Sequence, residues 1–191
     1  MIDLGSPIAV LSKSEFEIAF RSALDRTQKA FRKVELLQFY DESGDPSFDK
    51  LVAHDWVGAM AELDSIVEGQ DELLTPALKR GVSLTRLRYV EVPLTDYVRW
   101  ELASYRLSQE IGERIFISLN PEILRSIPEC VMFDDHTLIA LNYDAVGRFA
   151  KAQVFADQDR LQFLIHKFDG FETDAEPLND FLELVDIIDV N

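Results

Sequence analysis

The chain has 191 residues, 47% of them apolar, with 13 Phe and 2 Trp, and a formal charge of -16 at neutral pH. That length and apolar content fit one globular domain with a sizeable core, and no apolar run approaches the roughly 18 residues a membrane span needs. The excess of acids argues against direct nucleic-acid binding, which rests on Lys and Arg neutralising phosphates.

Ser14-Glu15-Phe16-Glu17 has the form of a capping box and opens a predicted helix with Phe16, Phe20, Ala23 and Leu24 on one stripe. Residues 30–40 read as a strand and 41–46 as a turn. A helix is predicted over about 48–68, with Val52, Trp56, Ala59, Met60, Leu63 and Val67 at helical spacing. A shorter one near 72–80 is closed by Gly81. Residues 41–72 hold ten acids against one base, Lys50. Residues 82–92 alternate and are β-rich, so they read as a strand that Pro93 stops. Thr95 then caps a helix with Asp96 in its first turn, and Gly112 ends it.

Residues 114–119 form a short strand, and 120–128 a loop or brief helical turn. Residues 130–133 and 137–143 make a hairpin around Asp134-Asp135-His136, 148–156 a further strand, and 157–168 a helix. The tail, 174–191, fits two structures. Leu178, Phe181, Leu182, Val185 and Ile188 make a helical stripe, yet Leu184, Ile187 and Val190 make the opposite face apolar, and 185–190 also fits a strand. Eight acids and no further Lys or Arg follow Lys167. A tail apolar on two faces has to pack under the domain or pair with another copy, so a homodimer is an expectation.

The chemistry-bearing motifs are conspicuous by absence. The eight glycines form no phosphate-binding loop, the three histidines and one cysteine have no zinc spacing, and no GxSxG elbow occurs. No catalytic residue, metal or cofactor is expected. Met1 to Pro7 carries an acid where a secretion signal needs positive charge, and a lone Cys130 suits a reducing compartment, so a cytoplasmic location is expected. Cys130, between Glu129 and Val131-Met132-Phe133, reads as a buried structural thiol. Asp134-Asp135-His136 is ordinary turn material, although Asp and His could also act as a base and its orienting partner. Arg99 and Glu101, two apart on a helix, do not face each other and must partner other groups.

The stretch Gly81-Val82-Ser83-Leu84-Thr85-Arg86-Leu87-Arg88-Tyr89-Val90-Glu91-Val92-Pro93-Leu94-Thr95-Asp96-Tyr97-Val98-Arg99-Trp100-Glu101-Leu102 resembles a block found in an uncharacterised, mainly actinobacterial family. Phe133-Asp134-Asp135-His136-Thr137-Leu138 and Asn142-Tyr143-Asp144-Ala145-Val146-Gly147-Arg148-Phe149-Ala150-Lys151-Ala152 resemble two further motifs of it. The resemblance covers about 75–165 well and 15–70 loosely. It implies an α/β (mixed α+β) fold: a central mixed sheet flanked by helices, like one phospholipase D half-unit without the catalytic motif. The whole chain, 1–191, is then one domain, with an N-terminal part (14–80), a phospholipase D-like core (81–168) and an acidic, apolar tail (169–191). The resemblance also implies a genomic setting beside helix-turn-helix regulators. The phospholipase D chemistry needs a His and a Lys two residues apart, and no His here is followed by Lys at that spacing.

Together these readings point to a non-enzymatic interaction protein. Its expected partner is a protein with a basic surface, for which a helix-turn-helix transcriptional regulator fits. The residues expected to bind are Asp96, Arg99, Glu101, Asp134, Asp135, Leu178, Phe181, Leu182, Val185 and Ile188. Two alternatives are an immunity or antitoxin protein masking a basic toxin, and a phosphodiesterase-like enzyme using Asp134, Asp135, His136 and Arg99. The last requires those four groups to converge in one cleft.

Overall fold

In a computed structural model the backbone is described over residues 3–189, and the side chains over the same range except 64–71 and 186–189. The described elements, in chain order, are β1 (Ala9–Leu11), α1 (Lys13–Arg26), β2 (Ala30–Glu35), α2 (Pro46–Val52), α3 (Trp56–Lys79), β3 (Ser83–Tyr89), α4 (Asp96–Ile111) and β4 (Arg114–Ser118). Then follow α5 (Ile123–Ser126), β5 (Cys130–Phe133), β6 (Thr137–Tyr143), β7 (Phe149–Phe155), α6 (Gln158–Asp174), β8 (Glu176–Pro177) and α7 (Leu178–Asp189).

The strands make one sheet in the order β1-β7-β6-β5-β2-β3-β4-β8. β2, β3 and β4 run parallel through helical crossovers, and the other pairings are antiparallel. This is the expected mixed sheet flanked by helices. Two-residue periodicity sends alternate side chains to opposite faces. Val34, Leu87, Cys130, Met132 and Leu138 face α5 and α6, where Leu161, Leu164 and Phe168 cover them. Phe31, Leu84, Val131, Phe133 and Ile139 face α1 and the end of α3. On that same side Ile115 and Ile117 of β4 join Trp100, Tyr105, Leu178 and Phe181 of α4 and α7.

Local chemistry moved several expected boundaries. α1 is opened by Ser12, two residues before the predicted cap, with Glu15 closing the capping box. The stripe of Phe16, Phe20, Ala23 and Leu24 packs on the sheet as expected. β2 stops at Glu35, so 36–45 is a loop rather than more strand. The single helix expected over 48–68 is two, because Asp45 and Asp55 each cap a separate start and His54 between them adopts a left-handed φ of 61°. Conversely α3 runs on through Pro76, absorbing the separate helix expected at 72–80. The tail is strand and helix in turn: β8 extends the sheet edge, and α7 follows.

Candidate functional site

β3 reads Ser-Leu-Thr-Arg-Leu-Arg-Tyr, and alternation places Arg86 and Arg88 on one face. Helices cover that face, so both guanidinium groups are buried and each must meet carboxylates. Arg86 donates from Nε and Nη2 to the two oxygens of Glu113, both at 3.0 Å, and from Nη1 to Glu35 at 2.9 Å. Tyr105 lies under its guanidinium, 4.4 Å from Cζ to the ring centre, and donates its hydroxyl to Glu35. Arg88 has no exposed side-chain surface; it donates from Nε to Glu101 at 2.8 Å and from Nη1 to the Tyr89 carbonyl at 3.0 Å. Lys33 completes the cations, 2.6 Å from Glu35.

Five carboxyl groups (Glu35, Glu42, Glu101, Glu113, Glu129) therefore face three cations. Burial would raise Glu35, but the charges of Arg86, Lys33 and Arg88 outweigh it and hold this carboxyl far below the usual range. Burial raises Glu101 despite Arg88. It also raises Glu129 to about 7, against the bond donated by the Tyr40 hydroxyl. Glu42 belongs to an exposed loop, yet its carboxyl turns inward to accept from the Tyr97 hydroxyl at 2.6 Å, and loss of solvent there raises it to about 7. Burial thus raises Glu42, Glu101 and Glu129, while the surrounding cations hold Glu35 down.

This network forms one end of an open cleft of about 610 Å³. It is lined by Lys33 and Glu35 of β2, by Lys13, Phe16 and Glu17 of α1, and by Tyr40 with the 41–45 loop. Tyr143 and Phe149 close the remaining side. A side recess of about 130 Å³ shares Lys33, Glu35 and Glu42 and reaches Arg86, Glu101 and Tyr105. Of the charged lining groups, Glu17, Glu35, Asp41, Glu42 and Asp45 are acids, and only Lys13 and Lys33 are bases.

The residues singled out in the sequence are placed elsewhere or are already engaged. Asp134 is a structural acid: its carboxylate accepts from the backbone N–H of Gln28, Lys29 and Ala30 at 2.8–2.9 Å, fastening the hairpin to the start of β2. Asp135 and His136 are exposed on the turn. Arg99 and Asp96 lie in the first turns of α4, which follows the opposite end of β3. The six residues of β2, at about 3.3 Å each, separate the two ends, so Asp134, Asp135, His136 and Arg99 do not converge. Glu101 is the buried partner of Arg88 and not a surface group.

Leu178, Phe181 and Val185 are buried in the core and Leu182 packs against it, so these four residues of the tail face inward rather than toward a partner or a second copy. The side chain of Ile188 lies outside the described residues. Cys130 is fully buried, and burial pushes its thiol far up. Among the described residues no group of three His, Cys, Asp or Glu converges as metal ligands, and no helix is long and apolar enough to cross a membrane.

Glu35, Glu113 and Glu129 were missed. For Glu35 and Glu113 the signal was present in the alternating arginines of β3, since in a strand covered on both faces each Arg requires a buried acid; Glu129, which accepts from the Tyr40 hydroxyl and the Leu36 N–H, had no such signal.

The family described as "Domain of unknown function (DUF6879)" matches residues 18–183. No curated protein is significantly similar in sequence. Among solved structures, the phospholipase D family member Nuc from Salmonella typhimurium superposes with a TM-score of 0.54 at 11% identity, over 88% of this chain and 94% of that one. TrmBL2, an archaeal chromatin protein, gives 0.50 at 11% identity over 90% of this chain and 54% of that one. At such identities the likeness establishes the fold alone, a phospholipase D-like one.

Proposed function

We propose that this chain, which belongs to the DUF6879 family, works without catalysis as an interaction protein, binding a partner with a basic surface such as a helix-turn-helix transcriptional regulator. The observation that carries the reading is the C-terminal acidic face. Asp174, Glu176, Asp180 and Glu183 are all exposed along the end of α6, the edge strand β8 and α7, and no Lys or Arg follows Lys167. The first acidic block differs, because its members are largely spent locally. Asp45 and Asp55 cap helices, Asp41 pairs with Arg148 at 2.8 Å, and Glu62 pairs with Lys50 at 2.8 Å.

A face of one sign speeds encounter with a complementary surface and disfavours wrong partners. The reactive side chains support the same reading: Cys130, Asp134, Arg86 and Arg88 are each engaged inside the fold. A phosphodiesterase reading is disfavoured by the cleft itself, whose five acids and two bases would repel an anionic phosphodiester.

Copurification from the native host identifies the partner, and binding of the purified pair is then measured against salt. The expected result is an affinity that falls steeply between low and physiological ionic strength, and that drops about tenfold or more when Asp174, Glu176, Asp180 and Glu183 are changed to their amides together. A salt-insensitive complex, or one indifferent to the fourfold change, overturns the assignment to this face. Recovery of a basic toxin in place of a regulator selects the immunity-protein alternative.

A further inference from the structure

The large cleft carries a second inference, independent of the C-terminal face. Its lining combines aromatic rings and acids. Phe16 stacks on Phe149 with ring centres 5.6 Å apart, Phe149 meets Tyr143 edge-on at 6.0 Å, and Tyr143 meets Tyr40 edge-on at 5.0 Å. These four rings form an unbroken aromatic chain from α1 across the ends of β6 and β7 to the loop after β2. The 41–45 loop adds the acids Asp41, Glu42 and Asp45 to the lining, with Asp41 paired to Arg148, Asp45 capping α2 and Glu42 accepting from the Tyr97 hydroxyl.

The electron-rich face of an aromatic ring and a carboxylate attract the same kind of ligand: a cation with apolar surface around or behind it. An anion would be opposed by the acids and gain nothing from the rings. Of the two lining bases, Lys33 is held by Glu35 at 2.6 Å, leaving Lys13 at the mouth. The molecule already places one guanidinium at this rim, since Arg148 Nε donates to Asp41 at 2.8 Å. The volume, about 610 Å³, lies within the range of roughly 300–1,000 Å³ typical of small-molecule sites.

We infer that this cleft is a binding site for an organic cation, a guanidinium or ammonium head on an apolar stem, held between the aromatic wall and the Asp41–Asp45 loop. The head sits by Glu42 and the stem lies along Phe149 and Tyr143. Two sources carry this chemistry: a free small molecule, or an arginine side chain of a bound polypeptide.

Isothermal titration of the full chain at about pH 8, above the value of about 7 to which burial raises Glu42 so that its carboxyl is ionised, with agmatine, with an acetylated and amidated Gly-Arg-Gly peptide, and with diethyl phosphate tests the inference. Saturable binding of one or both cations is expected, with none of diethyl phosphate. Glu42→Gln and Phe149→Leu should each weaken the cation about tenfold. Circular dichroism and thermal melting confirm that each variant is folded. Glu17→Gln, on the α1 side, supplies a third variant should Phe149→Leu fail to fold. Tighter binding of agmatine identifies a free ligand, and tighter binding of the peptide identifies a side chain of a partner. No saturable binding of either cation, binding of diethyl phosphate instead, or cation binding unchanged in Glu42→Gln and in the folded wall variant each overturns the inference. Because the C-terminal acids lie outside the cleft, the fourfold amide variant should bind agmatine like the parent, so failure of one proposal leaves the other testable.

Discussion

Arg88 has no exposed side-chain surface, and its charge is answered by Glu101 on the helix that follows β3. Removing one member of a buried ion pair leaves the other without compensation, a loss of about 3–5 kcal/mol, whereas removing both charges costs much less. Arg88→Met should therefore destabilise by about that amount in urea unfolding at neutral pH, and Arg88→Met with Glu101→Gln should recover part of it. A single variant as stable as the parent would show that the pair contributes nothing. The sequence announced the arginines by their alternation in a β-rich run but not their partners. Glu35 ends β2, Glu101 is on α4 and Glu113 lies in the turn before β4, so they meet only once β2, β3 and β4 lie side by side with α4 across them.

At the scale of elements, capping chemistry decided where helices begin. Asp45 accepts from the N–H groups of Ser47 and Phe48, and Asp55 from that of Gly58, so two caps ten residues apart divide what hydrophobic periodicity alone reads as one helix. The junction requires a left-handed residue, and it is His54, at φ 61°. A side chain in that region costs roughly 1–2 kcal/mol relative to glycine, partly offset by the greater entropy glycine loses on folding. His54→Gly should stabilise by up to about 1 kcal/mol, a rise of about 2–4 °C in Tm for a domain of this size. His54→Val should lower Tm, since a β-branched residue tolerates that φ poorly.

At the scale of the whole molecule, the interior is a two-sided sheet whose charged band lies between two apolar clusters, and its excess of carboxyls makes stability depend on pH. Glu129 has its folded value raised to about 7, above the unfolded value of 4.5. Its contribution is therefore fully present below pH 4.5 and is lost as pH rises toward 7. Glu42 acts in the same direction and the same window. Glu35 is depressed, so its contribution is present above the unfolded value and is lost only as strong acid protonates it. Glu129→Gln keeps an acceptor for Tyr40 or for the Leu36 N–H and removes the titration. Between pH 4.5 and 7 the stability of the parent relative to this variant should fall by up to about 1.4 kcal/mol per pH unit, measured by denaturation at fixed ionic strength. A constant difference would show that Glu129 stays ionised throughout.

By itself the sequence determined the elements whose causes are local: the cap at Thr95, the stops at Gly81 and Gly112, the hairpin around Asp134, and the apolar stripe of α1. It also determined the two acidic blocks, because charge is a property of composition. Tertiary structure alone decided which way ambiguous faces point. The stripe of Leu178, Phe181 and Val185 turned inward because α7 lies across α4 and the edge of β4, where that stripe buries apolar area. Asp134 became a backbone clamp because β5 pairs with β2 more than a hundred residues away along the chain. The cleft joins a loop, a helix and three strands that no spacing in the sequence relates.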